Sequence, residues 1–198
     1  YNYSRESNPT RAYLEEIISN LEGAVDTVAC SSGMAAISLV LELFSSGDHL
    51  ICSNDLYGGS TRLFTLQQNK GLKFSYVDTT NLKSFKQYIR PQTKAVFIET
   101  PSNPTMQISD LKKISALCQA HKLLLIVDNT FLSPYFQNPL LLGADIVIHS
   151  ATKFLSGHND IIAGSISTGD HKLAKRIREV SKTVGNSLSP LDLSLIHM

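Results

Sequence analysis

Two apolar spacings alternate along this chain, and their alternation predicts its architecture. Short apolar runs of strand length lie at residues 27–30, 49–53, 73–77, 94–99, 123–128, 145–149 and 163–168. Helical spacings separate most of them, at 31–44, 61–68, 82–89, 110–121 and 172–183. Strand and helix taking turns predicts an α/β fold, a mostly parallel sheet with helices on both faces. Ahead of the first strand, Asn8-Pro9-Thr10 opens a further helix, with Thr10 as the expected N-cap and Gly23 as terminator. Leu14, Ile17, Ile18 and Leu21 form its expected buried stripe. Segment 31–44 is too apolar for a surface helix and is expected inside.

Composition narrows the class of partner. The chain has 198 residues, 42% hydrophobic and 18% charged, enough for one core. With 18 basic and 17 acidic residues its net charge is +1, which gives no footprint for nucleic acid. Apolar runs are too short to span a bilayer, so the expected partners are small molecules or further copies of the chain. Cys30, Cys52 and Cys118 are odd in number and lack metal-site spacing, which fits a reducing, cytoplasmic setting and no metal. Both ends are expected to be cut: Tyr1 is not an initiator Met, and the apolar run from Pro190 to Met198 ends without a helix stop.

In open sheets of this kind ligands collect at the carboxyl ends of the strands, where the candidate chemistry lies. Ser150-Ala151-Thr152-Lys153 follows one apolar run and sets two hydroxyls beside a lysine. Asp128 closes Leu-Leu-Leu-Ile-Val, and a desolvated carboxylate there needs a cationic partner such as a protonated pyridine nitrogen, or several hydrogen bonds. Ser32-Gly33-Met34 enters a helix from a strand, so the Gly33 and Met34 N–H groups and the helix dipole favour a phosphate. A plain Ser-capped helix reads the same way. Tyr57 sits on a glycine-rich turn, where its ring can lie on a flat cofactor and its hydroxyl can move a proton. Asn103, in Glu99-Thr-Pro-Ser-Asn-Pro104, can offer an amide to a ring oxygen or bond only to its own loop. His149 and His158 are read as packing or loop residues.

Taken in order, these segments resemble the Cys/Met metabolism family of pyridoxal-phosphate enzymes, which includes cystathionine lyases, cystathionine gamma-synthase and thiolyases. The resemblance runs from Tyr3-Ser-Arg5 through Ser32-Gly-Met34, Tyr57-Gly-Gly, Glu99-Thr-Pro-Ser-Asn-Pro104 and Val127-Asp-Asn-Thr-Phe131 to His149-Ser-Ala-Thr-Lys-Phe-Leu-Ser-Gly-His158. It implies a fold type I, aspartate-aminotransferase-like large domain, with pyridoxal 5'-phosphate held as an imine on Lys153 and its ring nitrogen on Asp128. Gly33, Met34, Ser150 and Thr152 would hold the phosphate, Tyr57 would stack, and Asn103 would meet the phenolic oxygen. Tyr3 and Arg5 match an arm that reaches a neighbouring subunit, so a homotetramer of dimers with shared sites is implied. The division that follows is an arm and first helix over 1–22, the cofactor domain over 23–188, and the start of a connecting helix over 189–198. The family's C-terminal domain, with its carboxylate-gripping arginine, has no counterpart here, and Phe154 replaces the more usual tyrosine.

The implied activity is a carbon-sulfur lyase acting on cystathionine or a related substrate by β- or γ-elimination, with Lys153 and Tyr57 as proton carriers. A gamma-synthase or O-acetylhomoserine thiolyase would use the same residues. A non-catalytic phosphate- or nucleotide-binding α/β domain would not need Lys153.

Overall fold

The computed structural model describes residues 2–196, so His197 and Met198 of the expected terminal helix lie outside the described residues. Seven strands form one sheet: β1 (Asp26–Cys30), β2 (His49–Ser53), β3 (Lys73–Val77), β4 (Thr93–Glu99), β5 (Leu124–Asp128), β6 (Ile146–His149) and β7 (Gly164–Thr168). Their order is β1-β7-β6-β5-β4-β2-β3. Strands β2 to β6 run parallel, whereas β7 is antiparallel to both β1 and β6. One edge of the sheet therefore gathers six carboxyl ends and the amino end of β7.

Helices cover both faces, which is why strands such as β2, β6 and β7 are buried along their whole length. On one face lie α2 (Gly33–Leu41), α3 (Gly58–Gln68) and α7 (His171–Val184), whose Val40, Phe64 and Ile177 meet Phe97, Ile126, Ile148 and Ile166 of the sheet. Phe64 stacks on Phe74 at 4.7 Å and meets Phe97 edge-on at 5.2 Å. The other face carries α4 (Leu82–Phe85) and α5 (Leu111–Ala120), with Phe85, Ile114 and Cys118 against Val96, Leu125 and Val147. At the β1/β7 end, α1 (Pro9–Glu22) and α8 (Pro190–Ile196) pack Leu14, Ile18 and Leu193 on Ala29 and Ala163.

Three local expectations change. The N-cap of α1 is Asn8, not Thr10: Asn8 Oδ1 accepts from the Thr10 and Arg11 N–H groups at 3.0 and 3.3 Å, with Pro9 in the first turn. Leu21 is exposed, because the inward face of α1 includes Arg11, Glu15 and Glu22. Specific partners keep these charges inside: Glu15 accepts from Ala29 N–H at 2.8 Å and pairs with Arg178 at 2.7 Å. The helix expected at 82–89 tightens after Phe85 into a 3₁₀ turn at Lys86–Tyr88, ahead of Pro91. Short α6 (Ser133–Phe136) and the 3₁₀ turn Pro139–Leu142 complete the connection from β5 to β6.

Candidate active site

Strand ends converge on a cleft of about 570 Å³, lined by residues following β1, β2, β4, β5 and β6. Ser32 caps α2: its hydroxyl accepts from Ala35 N–H at 2.9 Å, and its carbonyl from Ala36 N–H at 3.0 Å. The first-turn N–H groups of Gly33 and Met34 thus stay without an intrahelical partner at the cleft. Two glycines permit this closeness. A Cβ on Gly33 would lie 2.8 Å from the Ser150 Cβ, and one on Gly164 would lie 2.2 Å from the Ser32 carbonyl oxygen.

Ser150, Thr152 and Lys153 leave β6 in a tight turn, closed by Lys153 N–H on the Ser150 carbonyl at 3.1 Å. Ser150 N–H donates to Thr130 Oγ1 at 2.9 Å. The Thr152 hydroxyl donates to the Ala163 carbonyl at 3.1 Å and accepts from Ala163 N–H at 3.0 Å, which ties the turn to the residue before β7. Lys153 lines the cleft, and among the described residues its ammonium has no ion pair. Beneath this turn His149 Nε2 pairs with Glu22 of α1, both buried. This is the packing role expected of His149. His158 is exposed, with Nδ1 at 2.7 Å from the Ser156 carbonyl.

Two carboxylates stand side by side. Glu99 and Asp128, the last residues of β4 and β5, are in register across the parallel pair. Asp128 Oδ1 accepts from Thr130 N–H at 3.0 Å and from the Thr130 hydroxyl at 2.5 Å. Burial raises the Asp128 pKa, opposed by those two bonds and by His149. Glu99 Oε2 accepts from Tyr57 N–H at 2.8 Å. Burial first, and then the Asp128 charge, push the Glu99 carboxyl up to about 7. Two like charges at one sheet edge await a cation.

Tyr57 is the N-cap of α3 and about half exposed, with its ring at the cleft. Asn103 also lines the cleft, on the loop between β4 and α5. Asp55 fastens that loop, accepting from Ser102 Oγ, Thr105 Oγ1 and, at 3.2 Å, Thr105 N–H. Eight of the ten sequence-derived site residues, Gly33, Met34, Tyr57, Asn103, Asp128, Ser150, Thr152 and Lys153, thus line one cleft. Tyr3 and Arg5 do not. Arg5 donates to the Tyr3 hydroxyl at 3.1 Å and to the Lys182 carbonyl of α7. Sequence reasoning gave no role to Glu99 or Thr130. Glu99 carried the signal used for Asp128, a carboxylate ending an apolar strand, and Thr130 sits two residues beyond Asp128, where an Asx turn is common.

An open α/β sheet thus brings a lysine, a buried aspartate and a helix N-terminus to one cleft, the class of site that suits a phosphate-bearing ligand. The sequence matches the family described as Cys/Met metabolism PLP-dependent enzyme over residues 1–198, and the chain belongs to that family. Among curated relatives it is 49% identical over 198 residues to the cystathionine beta-lyase of Lactococcus lactis subsp. cremoris (strain MG1363), covering all of this chain and 52% of that protein. It is also 49% identical over 197 residues to the cystathionine gamma-synthase/O-acetylhomoserine (thiol)-lyase of Bacillus subtilis (strain 168), covering 99% and 53%. The crystal structure of cystathionine gamma-lyase from Lactobacillus plantarum complexed with L-serine superimposes with a TM-score of 0.98 at 46% identity, over 99% of this chain and 52% of that one. The chain spans about half the length of these relatives. No helix among the described residues is long and apolar enough to cross a membrane.

Proposed function

We propose that this chain is the cofactor-binding half of a carbon-sulfur lyase that uses pyridoxal phosphate and cleaves cystathionine or a close relative by β- or γ-elimination. The observation that carries the reading is the meeting of an unpaired lysine, Lys153, and a buried, half-satisfied carboxylate, Asp128, in one cleft. The cleft fits the cofactor. Gly33 and Met34 N–H groups with the Ser150 hydroxyl form the phosphate end, which the Thr152 hydroxyl would join by turning its proton away from the Ala163 carbonyl, and the close approach at Gly33 keeps that end free of a side chain. Asp128 Oδ2, to which no hydrogen bond is donated among the described residues, is the proposed partner for a protonated ring nitrogen. Tyr57 offers a ring face, and Asn103 an amide for the phenolic oxygen.

When bound, pyridoxal phosphate supplies a carbonyl carbon that captures amines and a ring that takes up the electron pair released at the substrate α-carbon. Lys153 would hold the cofactor by its carbonyl carbon and, once freed by the substrate amine, would remove the α-proton. Asp128 would keep the ring nitrogen protonated. Tyr57 would lie against the ring and, with Lys153, would carry the β-carbon proton that a γ-elimination also has to remove. Phe131 and Ile162 add apolar surface to the lining of the cleft. The enzyme is proposed as a cytoplasmic homotetramer of dimers that share sites. Three free, buried cysteines support a reducing compartment, and Tyr3 and Arg5, away from their own cleft, are free to serve a neighbour's.

Gly59 gives a direct test of the stacking role. A Cβ there would lie 2.4 Å from Tyr57 Cε1 and 2.9 Å from Met34 Sδ. Gly59→Ala is expected to swing the ring aside and weaken cofactor affinity about tenfold, the value of one lost ring contact. Cofactor titration of the full-length variant reads this, with its melting temperature as the fold control.

The second reading is a transferase, favoured by the Bacillus synthase/thiol-lyase relative at the same 49% identity. A product assay separates the two. Cystathionine alone is expected to yield pyruvate or 2-oxobutanoate. Neither product, together with turnover of an activated homoserine and a thiol, makes the protein a transferase.

A further inference from the structure

Outside the cofactor contacts, Glu99 is the buried ionisable group with the most unusual surroundings. Its side chain ends β4 beside Asp128, yet its ligands come from elsewhere. Tyr57 N–H, on the turn into α3, donates to Glu99 Oε2 at 2.8 Å, and the Asn103 N–H of the β4–α5 loop is aimed at the same carboxylate. The two loops carrying the ring and the amide thus meet on one side chain. The same two loops are also tied to each other farther out, where Asp55 of the β2–α3 loop accepts from Ser102 and Thr105 of the β4–α5 loop.

We propose that Glu99 is a positioning residue, whose carboxylate clamps the backbones of Tyr57 and Asn103 so that ring face and amide stand at a set separation beside Asp128. The inference rests on the cofactor reading above. The ionised carboxylate holds both amides by charge-assisted bonds. On protonation one oxygen gives up acceptor capacity to its proton and both bonds lose the help of the charge, so the hold weakens. The charged groups that act on Glu99 are Asp128 on β5 and Asp55 on the loop before α3, both negative; Lys153, on the turn after β6, lines the same cleft. With a carboxyl pushed up to about 7, the clamp is complete on the alkaline side of neutrality and slack on the acid side. A cation bound at Asp128 removes one of the two repulsions and tightens the clamp.

Pyridoxine 5'-phosphate is the suitable probe, because it shares the ring and phosphate but has no carbonyl to react with Lys153. Full-length protein and its Glu99→Gln variant are titrated with it by fluorescence at pH 8 and pH 6. Gln keeps the shape of Glu, supplies a single acceptor oxygen and carries no charge. The variant is expected to bind about tenfold more weakly at pH 8, as for one lost charge-assisted hydrogen bond, and within about threefold of the parent at pH 6. Equal affinities at pH 8, or the same deficit at both pH values, overturn the inference. Absence of binding by the unsubstituted protein overturns the cofactor reading, and this inference with it. Should the variant not fold, amide exchange in the parent at pH 8 decides: Tyr57 and Asn103 are expected to be protected, and free exchange of either sinks the clamp.

Discussion

Lys153→Ala in the full-length protein is expected to abolish the visible cofactor band and to lower turnover of the proposed sulfur substrate by at least about 10³-fold. The magnitude follows because one ammonium serves as both attachment point and proton carrier, and a positioned base alone is worth roughly 10²–10⁴. Lys153 is exposed on a turn held by backbone bonds and a Thr152 hydroxyl, so its removal leaves the fold intact. Borohydride reduction followed by peptide mapping provides the companion measurement. The pyridoxyl mass belongs on Lys153 in the parent and nowhere in the variant. A label on another lysine, or a variant that keeps its band, removes Lys153 from the mechanism.

Asp128→Asn has opposite effects on activity and on apoprotein stability, and that crossing makes it diagnostic. Removing the partner of a buried cation costs about 3–5 kcal/mol, or roughly 10²–10⁴ in kcat/KM. In the apoprotein the carboxylate itself is the burden. Burial raises the Asp128 pKa above its unfolded value, so its contribution to stability is complete below about pH 4 and is lost as pH rises through the folded pKa. Glu99 adds a loss of the same sign, spread from its unfolded range at about pH 4 up to about 7. The Asn variant keeps an oxygen for Thr130 and carries no charge, so without cofactor it is expected to melt a few degrees higher than the parent at pH 8. The difference closes toward pH 4. Roughly 2–4 °C per 1 kcal/mol sets the scale. Thermal scans of both apoproteins across that range check this, and a variant that melts lower at pH 8 would mean that the Asp128 charge is held by partners and is not a burden.

Most strand positions were legible because the apolar runs match the period of a doubly covered sheet. Residues 49–53 and 73–77 coincide with β2 and β3 to the residue. Helix α1 shows where such reading stops. Its inward face holds Arg11, Glu15 and Glu22, and the burial of the two glutamates depends on Ala29, Arg178 and His149, up to 163 positions away. Periodicity treats charge as outward facing, so it turned Leu21 inward instead. The antiparallel β7 is equally silent, since a strand reads alike in either direction.

Chemistry concentrated in short motifs was present in the sequence itself. Lys153 after two hydroxyls, Asp128 at the close of an apolar strand, and Ser32-Gly33-Met34 at a helix start each declare a local property: a free amine, a desolvated charge, unpaired N–H groups. Local backbone and solvation set those properties, so neighbouring residues suffice to reveal them. The pairing of Glu99 with Asp128, the bond from Tyr57 N–H to Glu99, and the passage of Gly33 against Ser150 could not be read this way. They join residues 29 to 117 positions apart, and only the strand order and register bring them within hydrogen-bonding or van der Waals reach. The sequence alone determined which groups are available at the strand ends; the tertiary structure decided which stand together, because contact across a sheet depends on strand order rather than on distance along the chain.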